Sequence, residues 1–115
     1  MKNRESIKKR FLKDPAPLRL GNLASNLSRI SFFSHAAAKN RQVINDVLEE
    51  SKFFIEWVAP ETDVEIAAML AQMQIKLAFW QLNWRRQMKQ PRQISQISAL
   101  TKLWSSELLK RAGLL

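Results

Sequence analysis

Apolar residues recur along most of this chain at alternating spacings of three and four, the period of one helix face and not the period of two expected for a strand. Leu20, Leu23, Leu27, Ile30, Ser34, Ala37, Arg41, Ile44, Leu48, Ser51, Ile55 and Val58 follow this rhythm without a slip. Ile66, Leu70, Met73, Leu77, Trp80, Trp84 and Gln87 take it up again, and Ile94, Ile97, Thr101, Trp104 and Leu108 form a third set. Between Asn22 and Ala112 the strongest breakers of local structure, proline and glycine, occur only as Pro60 and Pro91. They divide the chain into three helix-permissive stretches, 22–59, 61–90 and 92–112. The pattern predicts an all-α fold: an antiparallel helical bundle of three long helices or four shorter ones.

The first two stretches read as a hairpin. Pro60 lacks an N–H and disfavours helix at Ala59, so the first helix should stop there. Thr62 with Glu65 three residues on has the form of a capping box at the start of the second. Facing positions then pair outward from the turn: Ile55 with Ile66, Ser51 with Leu70, Leu48 with Met73 and Ile44 with Leu77. Beyond them come Arg41 with Trp80, Ala37 with Trp84, and Ser34 with Gln87. Trp84 falls against the alanine run 36–38, a large residue against small ones, as dense packing favours. As one rod the first stretch would be about 57 Å long at roughly 1.5 Å per residue. Its stripe is weakest at Ser34, Ala37 and Arg41, so a break near 38–41 is the alternative to a continuous helix. Pro91 either ends the second helix or begins the third, and Gly113 is a natural C-terminal stop. The expected core or interface residues are Ile44, Leu48, Ile55, Ile66, Met73, Leu77, Trp80, Trp84 and Trp104.

The stretches LGNLASNLSRISFFS (20–34) and ESKFFIEWVAPE (50–61) resemble small helical proteins of unknown function from cyanobacteria. The resemblance includes no catalytic motif and implies no activity.

Charge changes the picture. The 115 residues carry 19 Lys/Arg against 10 Asp/Glu, and these are segregated. Residues 1–45 hold ten cations and two anions, residues 46–65 one and seven, and residues 66–115 eight and one. Residues 1–18 read as a basic, mobile tail ending at Asp14-Pro15-Ala16-Pro17, with residues 19–115 as a single bundle domain. In the hairpin model the tail cations Lys2, Arg4, Lys8, Lys9, Arg10 and Lys13 join Arg85, Arg86, Lys89 and Arg92 at one pole, opposite the acidic tip. Such a pole can neutralise phosphates with release of counterions. The tail, interleaved with Ile7, Phe11 and Leu12, can alternatively lie on an anionic membrane surface.

Candidate chemistry is sparse. His35 is the one histidine, and Arg29 precedes it as R-x5-H, which resembles the R-x4–6-H signature of HEPN-type helical ribonucleases. That resemblance implies Arg29 and His35 as a catalytic pair acting through RNA 2′-hydroxyl chemistry, but Ile30 stands where those enzymes carry a polar residue. No metal or cofactor is expected: there is no cysteine, no Glu-x-x-His pair and no Gly-rich phosphate loop. No apolar run approaches a membrane span. The N-terminus has charge without an apolar h-region, so a cytoplasmic protein is expected. The adjacent pairs Phe32-Phe33 and Phe53-Phe54 cannot both face one core, which leaves apolar surface for a second molecule. The expectation is therefore a non-enzymatic adaptor or regulator that forms a homo-oligomer. A phosphate-directed nucleic-acid-binding protein is the alternative and a HEPN-like ribonuclease the one beyond it; an acidic protein is a further possible partner.

Overall fold

The computed structural model describes residues 3–84 and 90–115. Among them are α1 (Arg4–Lys13), α2 (Ala16–Ser34), α3 (Arg41–Val58), a 3-10 turn (Ala59–Glu61), α4 (Val64–Leu82) and α5 (Pro91–Arg111). No strand occurs among the described residues.

The rhythm from Leu20 to Val58 does not produce one rod. Residues 35–40 form a turn despite their alanines, and α2 folds back along α3. Asn40 closes the turn, its Nδ2 donating to the carbonyls of Phe33 (3.3 Å) and Ala36 (3.0 Å). The Phe33 carbonyl belongs to the last turn of α2, where helix geometry leaves acceptors unpaired, and the Ala36 carbonyl lies in the turn itself. Folding back also buries Leu23, Leu27 and Ile30 completely, which a straight rod with a weak stripe at Ser34 and Ala37 could not do.

The 3-10 turn stops α3 at Val58, ahead of Pro60 as the sequence predicts. The cap of α4 differs from expectation. Asp63, not Thr62, is the N-cap: its Oδ1 accepts from the Ile66 N–H at 2.9 Å. The Thr62 hydroxyl is spent instead on the Ala59 carbonyl, 2.8 Å away, so it holds the turn and the carboxylate caps the helix.

Every apolar member of the α2, α3 and α4 stripes is buried from Leu20 to Ile30, from Ile44 to Val58 and from Ile66 to Trp80. Ile44, Leu48, Met73 and Leu77 are fully enclosed, Ile55, Ile66 and Trp84 are buried, and Trp80 stacks on the half-buried Trp104 at 5.5 Å. The outer hairpin pairs do not form as drawn, because the turn removes Ala37 from α3. Trp84 lines a groove with Arg41, Gln42 and Asn45, while Ala37 lines another with His35, Pro91 and Ile94. Gln87 lies outside the described residues.

The most extensive helix contact is α2 against α5, which the apolar stripes do not announce. Small residues carry it. Ser98 Oγ donates to the Ser31 carbonyl (3.0 Å) and Ser31 Oγ to the Ser98 carbonyl (2.8 Å). One and two turns further, Thr101 is fully buried and Ser105 Oγ donates to the Ala24 carbonyl at 2.7 Å. Side-chain bonds that reach a neighbouring helix's backbone require close approach, and only small residues permit it. At the same seam a Cβ built on Gly21 would come 2.8 Å from Leu114 Cδ1, a movable side-chain tip on the half-exposed C-terminus. Gly21→Ala is therefore expected to be neutral or stabilising by up to about 1 kcal/mol, the helix-propensity gain outweighing a small shift of Leu114. Chemical denaturation measures it, and a loss above that size would show the contact to be rigid.

Pro91 begins α5 at its first turn, resolving the alternative left by the sequence. Gly113, at φ 74°, ends it, with the Leu114 N–H on the Leu109 carbonyl and the Gly113 N–H on the Lys110 carbonyl.

Residues 4–13 are not a free tail. They form α1, whose buried Phe11 stacks on Phe54 at 4.3 Å and meets Trp57 at 5.7 Å. The α3 aromatics that looked surplus in the sequence are thus covered within the chain.

Candidate interaction surface

Positioning begins at the acidic tip. Because α2 runs back along α3, its first turn lies beside the 3-10 turn and not at the far pole. Arg19 marks the spot. Its guanidinium donates to Glu61 Oε2, to the Asp14 carbonyl (2.6 Å) and to the Leu12 carbonyl (2.9 Å), and its side chain is 12% exposed. One side chain thereby ties the end of α1, the α1–α2 joint and the turn before α4. Arg19→Ala is expected to cost about 2 kcal/mol, since hydrogen bonds to charged groups contribute about 1.5–3 kcal/mol. Arg19→Lys should not recover it, because an ammonium lacks the fork that reaches three acceptors. Thermal melts of the two variants check this, and full rescue by lysine would contradict the fork.

The basic residues expected at one pole are separated by the same fold-back. Arg4 lies 4.0 Å over the Phe53 ring and Lys8 5.8 Å from that of Trp57, both on the C-terminal half of α3. Arg10 lines a groove with Asp14 and Glu50, and Lys9 and Lys13 are exposed on the same helix. Arg92 is exposed in the first turn of α5, whose Pro91 and Ile94 line a groove with Ser34 and His35 at the C-terminal end of α2. Lys2, Arg85, Arg86 and Lys89 lie outside the described residues. Charge that is segregated along the sequence is interleaved in space at the tip: Glu61 pairs with Arg19, and Glu65 stands 3.6 Å from Arg111.

Arg29 and His35 are not brought together. Arg29 is exposed beside α3, in a groove with Gln42, Val43, Asp46 and Glu50. His35 is exposed on the α5 side, with Ser95, Ser98 and Lys102. Six helical residues advance about 600°, which leaves their side chains about 120° apart. Among the described residues no group of three or more His, Cys, Asp or Glu stands close enough to hold a metal ion, and no helix is long and apolar enough to cross a membrane.

What does stand out is α4. Its inner face (Ile66, Leu70, Met73, Leu77 and Trp80) is buried, chiefly against α3. A second apolar stripe, Val64, Ala68, Ala71, Ile75, Phe79 and Leu82, recurs at spacings of four, three, four, four and three. At about 100° per residue these six fall within an arc of about 80°, centred opposite the inner face. All six are exposed, Val64 at 84%, Ile75 at 70%, Phe79 at 54% and Leu82 at 86%. Charge touches this arc only at its flank, through Glu65 and Lys76.

The chain matches no protein-family model, no curated protein and no solved structure. The functional reading therefore rests on the surface itself.

An isolated exposed leucine is ordinary; a contiguous apolar helix face is not, because contiguous apolar patches mark association sites. A helix apolar on both faces needs partners on both. Sequence reasoning found the inner stripe and passed over the outer one, although its three-and-four spacing is visible in the residues.

Proposed function

We propose that this protein is a non-enzymatic helical interaction protein, a small cytoplasmic adaptor or regulator built as an antiparallel bundle, that self-associates. The observation that carries the reading is the exposed stripe Val64, Ala68, Ala71, Ile75, Phe79 and Leu82 on the outer face of α4. Covering it removes large apolar side chains from water at a gain of roughly 25 cal/mol per Å². The stripe spans the whole of α4, about 28 Å at roughly 1.5 Å per residue, and is one helix wide. A seam one helix wide sits at the low end of stable interfaces, so association is looked for at micromolar concentrations and above.

The phosphate-directed alternative has less support, because Arg4 and Lys8 lie against α3 aromatics and Arg10 shares its groove with Asp14 and Glu50. The ribonuclease alternative has less again, with Arg29 and His35 in different grooves. Size-exclusion chromatography with light scattering tests the leading reading: a dimer or larger species is expected at tens of micromolar, and a particle of 13.4 kDa at every concentration would overturn it.

A further inference from the structure

Resting on that self-association reading, we propose that the occupant of the α4 face is α4 of a second copy, packed antiparallel about a two-fold axis level with Met73. The size pattern of the stripe is self-complementary in that sense. An antiparallel two-fold at that level sets Ala71 opposite the partner's Ile75 and Val64 opposite the partner's Leu82, and brings Ala68 to within one residue, about 1.5 Å along the axis, of the partner's Phe79. Each contact occurs twice, as an isologous interface requires. Small residues thus meet large ones along the seam, the condition for dense interdigitation. A parallel pairing instead sets Phe79 on Phe79, Ala71 on Ala71 and Ala68 on Ala68, crowding one level and leaving gaps at two others.

Electrostatics point the same way. A parallel two-fold leaves the Glu65, Gln72 and Lys76 flanks of the two helices on opposite sides of the seam, where they do not meet. The antiparallel two-fold brings these flanks to the same side and places Lys76 near the amide of the partner's Gln72, which offers an acceptor. It also opposes the two helix dipoles, where a parallel pair would align them.

The chain has no cysteine, so introduced thiols are unique reporters. Ala71→Cys and Ile75→Cys are made on separate copies, one carrying a size tag, then mixed at tens of micromolar and oxidised gently. Both positions are exposed, so neither change disturbs the fold of the single chain. A disulfide requires Cα atoms within about 7 Å. With helix axes about 10 Å apart and Cα atoms on cylinders of radius about 2.3 Å, the antiparallel seam sets the Cα atoms of 71 and the partner's 75 about 6 Å apart, whereas 71 and 71, offset by four residues or about 6 Å along the axis, are about 8–9 Å apart. The mixed 71–75 disulfide should therefore form at least ten times faster than either homodisulfide.

Homodisulfides that dominate would overturn the antiparallel register while leaving self-association standing. Slow cross-linking of every kind, with the wild type still dimeric by light scattering, would move the interface off α4. Slow cross-linking with a monomeric wild type would remove the self-association reading itself, and a foreign protein or a membrane surface would then be the occupant.

Discussion

Ala24→Leu should lower the free energy of unfolding by about 3 kcal/mol. Ala24 is fully buried where α5 packs on α2, and its carbonyl accepts the Ser105 hydroxyl at 2.7 Å. Three added carbons have no cavity to enter. Overpacking a dense site costs about 1–3 kcal/mol, and separating the helices removes a buried hydrogen bond worth about 1 kcal/mol. For a chain of this size the change amounts to a Tm lower by roughly 10 °C or more. Ser25→Leu is the control. Ser25 is exposed one residue along the same helix, so the same side chain should change stability by less than about 0.5 kcal/mol. Equal effects at the two positions would contradict the close α2–α5 seam.

The second large effect is on association and not on folding. Ile75 and Phe79 are 70% and 54% exposed in the single chain, so Ile75→Glu combined with Phe79→Glu should leave the monomer's stability nearly unchanged. In an isologous seam each substitution acts twice. Four apolar contacts are lost and four carboxylates crowd one apolar strip, which should weaken dimerisation by about 10³-fold or more.

The inner faces of α2, α3 and α4 were legible because burial follows the helical period and the stripes contain Leu, Ile, Met and Trp. The break was legible as an alternative: the stripe weakens at Ser34, Ala37 and Arg41, and the turn falls at 35–40. The sequence did not decide it, because Ala36, Ala37 and Ala38 favour helix and the turn forms through two bonds from Asn40 and the packing that folding back allows. The basic pole was drawn on a continuous rod; once α2 reverses, α1 and Arg19 land at the acidic tip and neutralise part of it. The α2–α5 contact escaped a hydrophobicity pattern because Ser31, Ser98, Thr101 and Ser105 score as polar. Their spacing was nonetheless a signal: Ser98, Thr101 and Ser105 lie three and four apart, as do Ala24, Ser28 and Ser31. The surplus apolar surface was anticipated from the paired phenylalanines, yet it resides mainly elsewhere. Phe32 is 72% exposed as the pairing implies, but Phe54 is buried under α1, Phe53 lies beneath Arg4, and a six-residue exposed stripe runs along α4.

Sedimentation velocity on the wild type and on the Ile75→Glu, Phe79→Glu variant, each diluted through the micromolar range, tests the central claim most directly. The account predicts a wild type that moves from twice the chain mass of 13.4 kDa toward the monomer on dilution, beside a variant that is folded and monomeric throughout. A wild type that stays monomeric at the highest concentration, or a variant that dimerises as the wild type does, would contradict it.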